Sequence, residues 1–299
     1  MKPAPFDYHV PETAAEAVGL LASLGDEAKV LAGGQSLIPM LALRLAVFGH
    51  LVDIGRIAEL TGIERRNGHL RVGAGTTHVA VGASPEVARS VPLLAQATPL
   101  IGHIQIRNRG TLGGSVAHAD PAAEYPAIAL ALDATMEVVS PGGSRQIPAA
   151  EFFDGLWSTT MAPDELLVAV SFPVWTGRTG FAVQEFARRH GDFAIAGATI
   201  GIEVDAADRV VRSAIGLIGL GSTPERARAA EADLVGQAIG DIDPHEVGRL
   251  AVAELTSVLD DQHGSVDFRK RVGAEMTARA WARAAADAAG TPAPPGGTT

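Results

Sequence analysis

The first third of the chain alternates between helix-type and strand-type spacing of its apolar residues. A capping box at Thr13 and Glu16 opens an alanine- and leucine-rich run that stops at Gly25. Short apolar runs at residues 29–31 and 51–54 have the length and composition of strands. This alternation predicts an α/β unit at the start of the chain.

The middle of the chain instead has turn residues and alternating runs that predict antiparallel strands. Asn67 and Gly68 lie between two short strand-type runs, which is a strong signal for a two-residue hairpin. A turn at residues 141–143 separates a second pair of strands, and residues 166–172 alternate as a further strand. A turn at Asp120-Pro121 is expected, and a helix from about Tyr125 or Pro126 to Leu132, since Pro126 fits a helix start better than a helix interior.

The last third predicts a strand meander covered by helices. A linker at residues 175–180 precedes three strand-type runs, and alanine-rich helices follow them. The final residues have the proline and glycine content of disordered segments. The predicted strands are 181–188, 197–204 and 210–217, the predicted helices are 223–238, 244–259 and 268–289, and the tail is 290–299.

These patterns divide the chain into three compact units. An α/β unit covers residues 1–55, a second unit with antiparallel strands covers 56–174, and an α+β unit covers 181–289 before the tail at 290–299. A chain of 299 residues with 47% hydrophobic content is long enough to build two or three cores.

Charge and residue content exclude several classes of function. The net charge is −10 without any lysine- or arginine-rich run, which argues against double-stranded nucleic acid as the main partner. The chain has no cysteine, so by itself it forms no disulfide, zinc ribbon or cysteine-held iron–sulfur cluster. The N-terminus lacks the apolar core of a signal peptide, and no apolar run approaches the roughly 20 residues of a membrane span. We therefore expect a soluble, cytoplasmic protein.

Residues 104–124, IQIRNRGTLGGSVAHADPAAE, concentrate candidate ligand-binding residues. A polar-apolar alternation turns through Gly110 into a diglycine that lies between hydroxyl residues. Glycines let main-chain N–H groups approach a bulky anion because no Cβ intervenes. A glycine turn between two strands is the alternative interpretation. The flanking charged residues are Arg107, Arg109, Asp120 and Glu124.

A second diglycine segment, AGGQS at residues 32–36, follows the predicted strand at 29–31. A strand that enters a glycine turn before a helical turn is a natural anion site. The Rossmann pattern is absent, because the nearest approach, beginning at Gly219, has Pro224 at the third glycine position. Walker A, HExxH and GxSxG motifs are absent as well. Each diglycine alone is a weak signal for a phosphate-bearing ligand.

Taken together, the two diglycines, QIRNRG and DPAAE around the second one, and ARRHGDFAIAG at residues 187–197 resemble one family. Over residues 1–287 the chain resembles the FAD-binding medium subunit of the molybdenum hydroxylases, which include xanthine dehydrogenase and carbon monoxide dehydrogenase. The resemblance implies an α+β fold, in which a vanillyl-alcohol-oxidase-type (PCMH-type) two-subdomain FAD-binding fold precedes a C-terminal three-stranded antiparallel sheet with helices. Residues 32–36 and 111–115 would embrace the FAD diphosphate from the two subdomains.

The resemblance also implies a set of FAD-binding residues, and no side chain is required to act as nucleophile, general base or metal ligand. The hydroxyls of Ser36, Thr111 and Ser115 can add donors to the diphosphate. Left-handed backbone conformations, which are costly for residues other than glycine, would explain the glycines of both loops. The implied cofactor-binding residues are Leu31, Ala32, Gly33, Gly34, Gln35, Ser36, Ile101, Thr111, Leu112, Gly113, Gly114, Ser115, Asp120, Glu124, Leu166 and Leu167.

Some of these assignments carry a qualification, and Phe193, outside the set, matches the family in part. Glu124 occupies the position of an aspartate that, in similar flavoproteins, bonds the sugar-like side chain of the flavin. Gln35 occupies a position that is often histidine. Leu166 or Leu167 matches a leucine near the flavin, and Phe193 matches an aromatic residue of the family without its tyrosine hydroxyl.

Other polar residues have two interpretations each. His103 is either close to the flavin ring or a polar residue at a strand edge. Arg107 and Arg109 either offset phosphate charge or face solvent. His118 and Asp120 have the spacing of a metal pair, but the sequence suggests no third ligand.

The resemblance implies an oxidoreductase subunit that passes electrons through FAD from [2Fe–2S] clusters to an external acceptor. Since the chain lacks cysteine, the clusters and the molybdenum cofactor would belong to partners, namely a small iron–sulfur subunit and a large molybdenum-cofactor subunit, in a dimer of heterotrimers. The alternatives are a self-sufficient FAD-dependent oxidoreductase of the same superfamily and a non-redox nucleotide-binding protein.

Overall fold

The computed structural model describes residues 2–290, which form three main sheets with helices packed against them. No helix of these residues has the length and apolar character that a membrane crossing needs. The disordered tail predicted from residue 290 lies outside the described residues, apart from Gly290 itself. Three short 3-10 helices connect larger elements, at Gly25–Glu27, Ala58–Leu60 and Ile239–Asp241.

A three-stranded parallel sheet forms the start of the chain, as an α/β unit requires. Its elements are β1 (Asp7–His9), α1 (Ala14–Leu24), β2 (Ala28–Leu31), α2 (Leu37–Ala42) and β3 (His50–Asp53). The strand order is β1-β3-β2, and α1 packs on it through Ala17, Val18 and Leu21. Thr13 caps α1 as predicted, because its hydroxyl accepts the N–H of Glu16 at 3.1 Å.

The second sheet is antiparallel and has the strand order β4-β5-β10-β6-β7. The Asn67-Gly68 hairpin is confirmed, with both residues at positive φ, 50° and 77°. The elements are β4 (Ile63–Arg66), β5 (His69–Gly73), α3 (His78–Ala83), α4 (Pro85–Ser90), α5 (Pro92–Ala97), α6 (Ile104–Arg107), α7 (Leu112–His118), α8 (Glu124–Ala131), β6 (Thr135–Ser140), β7 (Gly143–Pro148), α9 (Ala149–Phe152), the hairpin β8 (Phe153–Gly155) and β9 (Ser158–Thr159), and β10 (Leu166–Pro173).

The strand-like interpretation of residues 104–118 is wrong. Residues 104–107 form α6, and the diglycine lies in the first turn of α7. The Arg107 guanidinium donates to the carbonyl oxygens of Ile101 and Gly102 at 3.1 and 2.7 Å. These bonds tie α6 to the segment before it. Side-chain bonds to the preceding turn cannot be seen in the alternation of four residues.

The third unit is a four-stranded antiparallel sheet, β11-β12-β13-β14, with α12 packed across it. The three-stranded meander is confirmed, and the fourth strand has only two residues. The predicted linker at 175–180 is wrong in its second half, because β11 already begins at Arg178. The elements are β11 (Arg178–Phe186), β12 (Ala196–Val204), β13 (Val210–Ile218), β14 (Glu225–Arg226), α10 (Arg228–Leu234), α11 (Pro244–Ala253) and α12 (Val266–Ala288).

The helix predicted from residue 223 begins later than expected. Residues Glu225 and Arg226 pair with β13 instead, opposite Leu217 and Gly216, and α10 follows. The Arg226 side chain is held on this strand by Glu231, at 2.8 Å. The cap signal at Thr223 is local, and the pairing of residues 225 and 226 with β13 at the edge of the sheet takes precedence over it.

Helix α8 joins the second unit to the third, and all of its residues are buried. Gly216 of β13 permits this packing, because a Cβ there would lie 2.6 Å from the carbonyl oxygen of Ala127. Arg226 donates to the carbonyl of Leu130, at 3.2 Å, and to Asp133, at 2.5 Å. Helix α8 is therefore fixed against the C-terminal sheet. Whether the boundaries near residues 55 and 174 separate independent domains stays a prediction.

Candidate functional site

The two diglycine loops meet, although they belong to different sheets. Loop 32–36 follows β2 at the carboxyl end of the parallel sheet, and loop 111–115 starts α7 beside the second sheet. A Cβ built on Gly33 would lie 2.6 Å from the Cα of Gly110 and would overlap the carbonyl oxygen of Arg109. A Cβ built on Gly114 would lie 3.5 Å from the Cβ of Ala32. The loops are thus in direct contact.

Loop 32–36 presents a row of free main-chain donors. The N–H groups of Gly33, Gly34, Gln35 and Ser36 have no hydrogen-bond partner among residues 2–290. Gly34 adopts a left-handed conformation, with φ of 73°, and the Leu31 side chain lies beneath it. Consecutive N–H groups that curve through a left-handed residue form a concave anion site.

Loop 111–115 contributes differently, because the N–H groups of its residues 112–115 are already used. Gly113 donates to the carbonyl of Ala74 at 2.9 Å, and Ser115 donates to the carbonyl of Thr111 at 3.0 Å. Gly114 donates to the hydroxyl of Thr111, the N-cap of α7, at 3.0 Å. The Ser115 hydroxyl has no partner among the described residues, and Leu112 is buried in the core. This loop therefore offers the hydroxyl groups of Thr111 and Ser115 rather than a row of N–H groups.

The reason predicted for the four glycines is right at one position only. Gly34 has a positive φ, whereas Gly33, Gly113 and Gly114 do not. At these three positions the glycine is needed for close approach, since a side chain would collide with the neighbouring loop, with Ala74 or with Thr111. Contacts between distant segments cause this requirement, so the sequence could not distinguish it from a conformational one.

Residues 99–103 are tied to helix α6 by Arg107. Its guanidinium donates to the carbonyl oxygens of Pro99, Ile101 and Gly102, and its role toward phosphate charge stays a prediction. His103 is exposed and lies against Gly191, whose built Cβ would be 2.9 Å from the imidazole ring. The Phe193 side chain, two residues further on, is 61% exposed. Arg109 is exposed and makes no ion pair within the described part of the chain.

Asp120 lies at the far end of α7, one helix length of about 10 Å from the diglycine. One carboxylate oxygen accepts the N–H of Ala122 at 2.9 Å, which forms the turn predicted at Asp120 and Pro121. The other accepts the indole N–H of Trp157 at 3.2 Å. His118 stacks on the same indole, with 6.3 Å between ring centroids, and burial lowers its pKa.

Trp157 is a site-associated residue that the sequence analysis missed. It lies at the tip of the β8–β9 hairpin with a left-handed φ of 56°, and it reaches back to Asp120. The two residues are 37 positions apart, so no local pattern connects them. Among residues 2–290, no group of three metal-ligating side chains comes together around His118 and Asp120 or elsewhere.

Glu124 is the first residue of α8, and its carboxyl group is buried near that of Glu185. Burial, and to a smaller extent the Glu185 carboxylate, raise the pKa of Glu124 to about 8. Burial raises the pKa of Glu185 to about 7, and one of its carboxylate oxygens has no partner within residues 2–290. Two neighbouring buried carboxyls do not both ionise at neutral pH. A protonated Glu124 has one donor as well as acceptors for a sugar hydroxyl.

Leu166 and Leu167 are both buried, on opposite faces of β10. Leu166 packs with the N-terminal core around Val52, and Leu167 packs with the second core around Val170. Both side chains are committed to packing, so a contact to a ligand would come from their main chain.

The donor set fits the diphosphate of FAD. The touching loops offer four free N–H groups and two hydroxyls, and Arg109, whose carbonyl oxygen lies at the contact, supplies a cation. The acidic residues Asp120 and Glu124 lie at the other end of α7, where hydroxyl groups of an extended ligand would find acceptors.

Comparisons with known proteins agree with this arrangement. Residues 4–175 match the family described as the FAD binding domain in molybdopterin dehydrogenase, and residues 181–284 match the CO dehydrogenase flavoprotein C-terminal domain. The chain is 40% identical over 284 residues to 6-hydroxypseudooxynicotine dehydrogenase complex subunit alpha of Paenarthrobacter nicotinovorans, covering 95% of this chain and 96% of the relative. It is 39% identical to caffeine dehydrogenase subunit beta of Pseudomonas sp. (strain CBB1), covering 95% and 96%.

The fold is also similar to that of a solved protein of the same kind. A chain in the solved structure of carbon monoxide dehydrogenase from Hydrogenophaga pseudoflava superposes with a TM-score of 0.92 at 38% identity, covering 96% of this chain and 99% of that one. The predicted two-subdomain FAD-binding fold with its C-terminal sheet is thereby confirmed. This chain belongs to the family of FAD-binding medium subunits of the molybdenum hydroxylases, and it is an oxidoreductase subunit.

Proposed function

We propose that this chain is the electron-transfer subunit of a molybdenum hydroxylase. Bound FAD supplies chemistry that side chains lack, since it accepts electrons singly and releases them singly or in pairs. The electrons come from [2Fe–2S] clusters of a partner subunit and leave to an external acceptor. The contact between the two glycine loops carries the proposal, because it gathers donors from two separate sheets at one place.

Each part of the site has a role in this proposal. The free N–H groups of loop 32–36 and the hydroxyls of Thr111 and Ser115 hold the diphosphate. Asp120 and Glu124 bind hydroxyl groups of the flavin's sugar-like side chain. The main chain at Ile101 and at Leu166 or Leu167 borders the flavin, and Leu31, Ala32 and Leu112 shape the loops around it.

The composition supports a division of labour between subunits. A chain without cysteine cannot hold a [2Fe–2S] cluster on thiolates, so the clusters belong to a small partner subunit and the molybdenum cofactor to a large one. Relatives are named as subunits or medium chains, and one solved relative is a chain of a Cu,Mo-CO dehydrogenase. We further propose a dimer of such heterotrimers, working in the cytoplasm.

The flavin content of the purified chain tests the proposal. Gly114→Asp adds a carboxylate where the loops meet, and like-charge repulsion should prevent FAD retention. Gly142→Asp is the matched control, because a Cβ there would have only the Ser140 hydroxyl nearby, at 3.6 Å. The 450 nm absorbance per chain should vanish in the first variant and persist in the second. Circular dichroism should show both folded.

Two results would contradict the proposal. Normal FAD content in the folded Gly114→Asp variant would show that the diphosphate does not bind at this site. Hydroxylation of a substrate by the isolated chain would overturn the division of labour between subunits.

A further inference from the structure

Trp157 is placed unlike the other two tryptophans of the chain. Its side chain is 53% exposed, whereas Trp175 and Trp281 are 8% and 0% exposed and belong to the cores of the second and third units. It lies at the tip of the β8–β9 hairpin with a φ of 56°, which is rare for a bulky residue. An exposed side chain adds little to the core, so the strain at this residue points to a functional constraint.

The foot of the hairpin fixes where the tip lies. The N–H of Thr160 donates to the carbonyl of Phe152 at 2.9 Å, and the Thr160 hydroxyl donates to the carbonyl of Glu151 at 2.9 Å. Phe152 is fully buried, and Phe153 packs edge-on against it with 5.2 Å between ring centroids. Strands β8 and β9 have only three and two residues, and β9 packs against α7. The tip is therefore held at the carboxyl end of α7.

The indole N–H of Trp157 holds the Asp120 carboxylate at this end of α7. It donates to one carboxylate oxygen at 3.2 Å, while the N–H of Ala122 donates to the other at 2.9 Å. No lysine or arginine of residues 2–290 forms an ion pair with Asp120. His118 stacks on the indole, but burial lowers its pKa, so it is neutral at pH 7 and supplies no charge. Two N–H groups thus set the direction of the carboxylate.

Asp120 keeps acceptor capacity for a ligand in this arrangement. An ionised carboxylate has about four lone-pair sites, and the two N–H groups use one on each oxygen. The residue is half-buried and lies about 10 Å, the length of α7, from the diglycine. Hydroxyl groups are donors that match the remaining lone pairs. An acceptor that is already oriented binds more tightly than one that has to be ordered on binding.

We propose that Trp157 is a positioning residue, which orients the Asp120 carboxylate toward hydroxyl groups of the sugar-like side chain of bound FAD. This inference rests on the proposed function, which assigns that side chain to Asp120 and Glu124. Trp157 acts through its N–H group and through Asp120, without contact to the reacting ring. Its removal therefore weakens one half of the cofactor's contacts and leaves the diphosphate loops as they are.

FAD titrations of the full-length apoprotein by calorimetry test the role of the N–H group. Trp157→Phe keeps an aromatic ring and removes the donor, so it should lower FAD affinity about five- to tenfold. Asp120→Ala should lower it at least as much. The double variant should bind no more weakly than Asp120→Ala alone, because Trp157 acts through that carboxylate. Leu156→Ala is the matched control, since Leu156 is 46% exposed at the same tip, and it should leave FAD affinity unchanged.

FMN and ADP distinguish a local effect from a general one. FMN carries the flavin's sugar-like side chain with a single phosphate, whereas ADP carries the diphosphate without that side chain. Competition of each compound with FAD gives its affinity. Trp157→Phe should weaken FMN by the same factor as FAD and leave ADP unchanged. An equal loss for ADP would show that the substitution disturbs the diphosphate loops or that Asp120 faces the ADP half, and would overturn the positioning role.

The remaining outcomes separate this inference from the proposed function. If wild type binds FAD and Trp157→Phe binds it equally well, Trp157 positions nothing for the cofactor, while the FAD site stands. A double variant that binds FAD more weakly than Asp120→Ala would show that Trp157 acts independently of Asp120, which also overturns the inference. If the wild-type chain binds no FAD, the proposed function and the inference fall together.

Discussion

The main chain of Gly33 lies against the carbonyl oxygen of Arg109, with no room between them for a methyl group. This contact joins the end of β2 to the start of the α7 segment, and with it the two halves of the proposed diphosphate site. Because the neighbours are backbone atoms, which cannot turn aside, a side chain at Gly33 has to push the loops apart.

Gly33→Ala should therefore lower FAD affinity about tenfold or more, and lower the free energy of unfolding by about 1–3 kcal/mol. Titration with FAD and urea denaturation measure the two effects. Gly19→Ala is the control, because Gly19 lies in helix α1 with nothing near its Cβ position. That change should add about 0.5–1 kcal/mol of stability and leave FAD affinity unchanged. Unchanged FAD affinity in Gly33→Ala would contradict the importance of the loop contact.

Ser115→Ala should separate binding from folding. The Ser115 hydroxyl has no partner among the described residues, so its loss should change the free energy of unfolding by less than about 0.5 kcal/mol. A lost hydrogen bond to a charged phosphate should reduce FAD affinity about tenfold. Isothermal titration calorimetry on the apoprotein is the measurement, and Ser23→Ala, on the exposed side of α1, is the control. Equal affinities would show that this hydroxyl does not face the ligand.

The buried carboxyl pair should make the apoprotein less stable as pH rises. The pKa of Glu124 is about 8 in the folded chain and 4.5 without burial, so between these values the folded state binds more protons than the unfolded state. The free energy of unfolding should thus fall between pH 6.5 and 8. His78, whose pKa is lowered to about 4 by burial, is neutral in both states through most of this range and adds little slope.

Glu124→Gln should flatten this decline, which urea denaturation at several pH values measures. Glu165→Gln is the control, because Arg145 lowers the pKa of Glu165 and both states carry its charge in this range. A wild-type stability that does not decrease toward pH 8, or a Glu124→Gln variant with the same slope, would show that the pair is ionised in the folded chain.

Arg226→Met should weaken the attachment of α8 to the C-terminal sheet. It would leave Glu231 buried without its cation and free the carbonyl of Leu130, at a cost of about 3–5 kcal/mol. Arg89→Met removes the exposed pair with Glu86 and should cost less than about 1 kcal/mol. Thermal or urea unfolding distinguishes the two. Equal effects of the two substitutions would mean that Arg226 does not hold the units together.

Local rules were sufficient where an element depends on its own residues. The Asn67-Gly68 hairpin forms because both residues accept positive φ, and α1 starts at Thr13 because the cap bond spans only three residues. Hydrophobic spacing failed at α6, whose end is fixed by bonds from the Arg107 side chain to the turn before it, and local cap rules failed at Glu225, which pairs with β13 instead of starting a helix.

By itself, the sequence determined the order of the elements, the two glycine loops and the family, because hydrophobic spacing, turn residues and motifs are carried by neighbouring positions. Only the tertiary structure decided that the loops touch through Gly33, that loop 111–115 offers hydroxyls rather than N–H groups, and that Trp157 binds Asp120. Those features depend on distances between segments far apart in the chain. Such distances are set by the packing of the sheets, and no short run of residues specifies them.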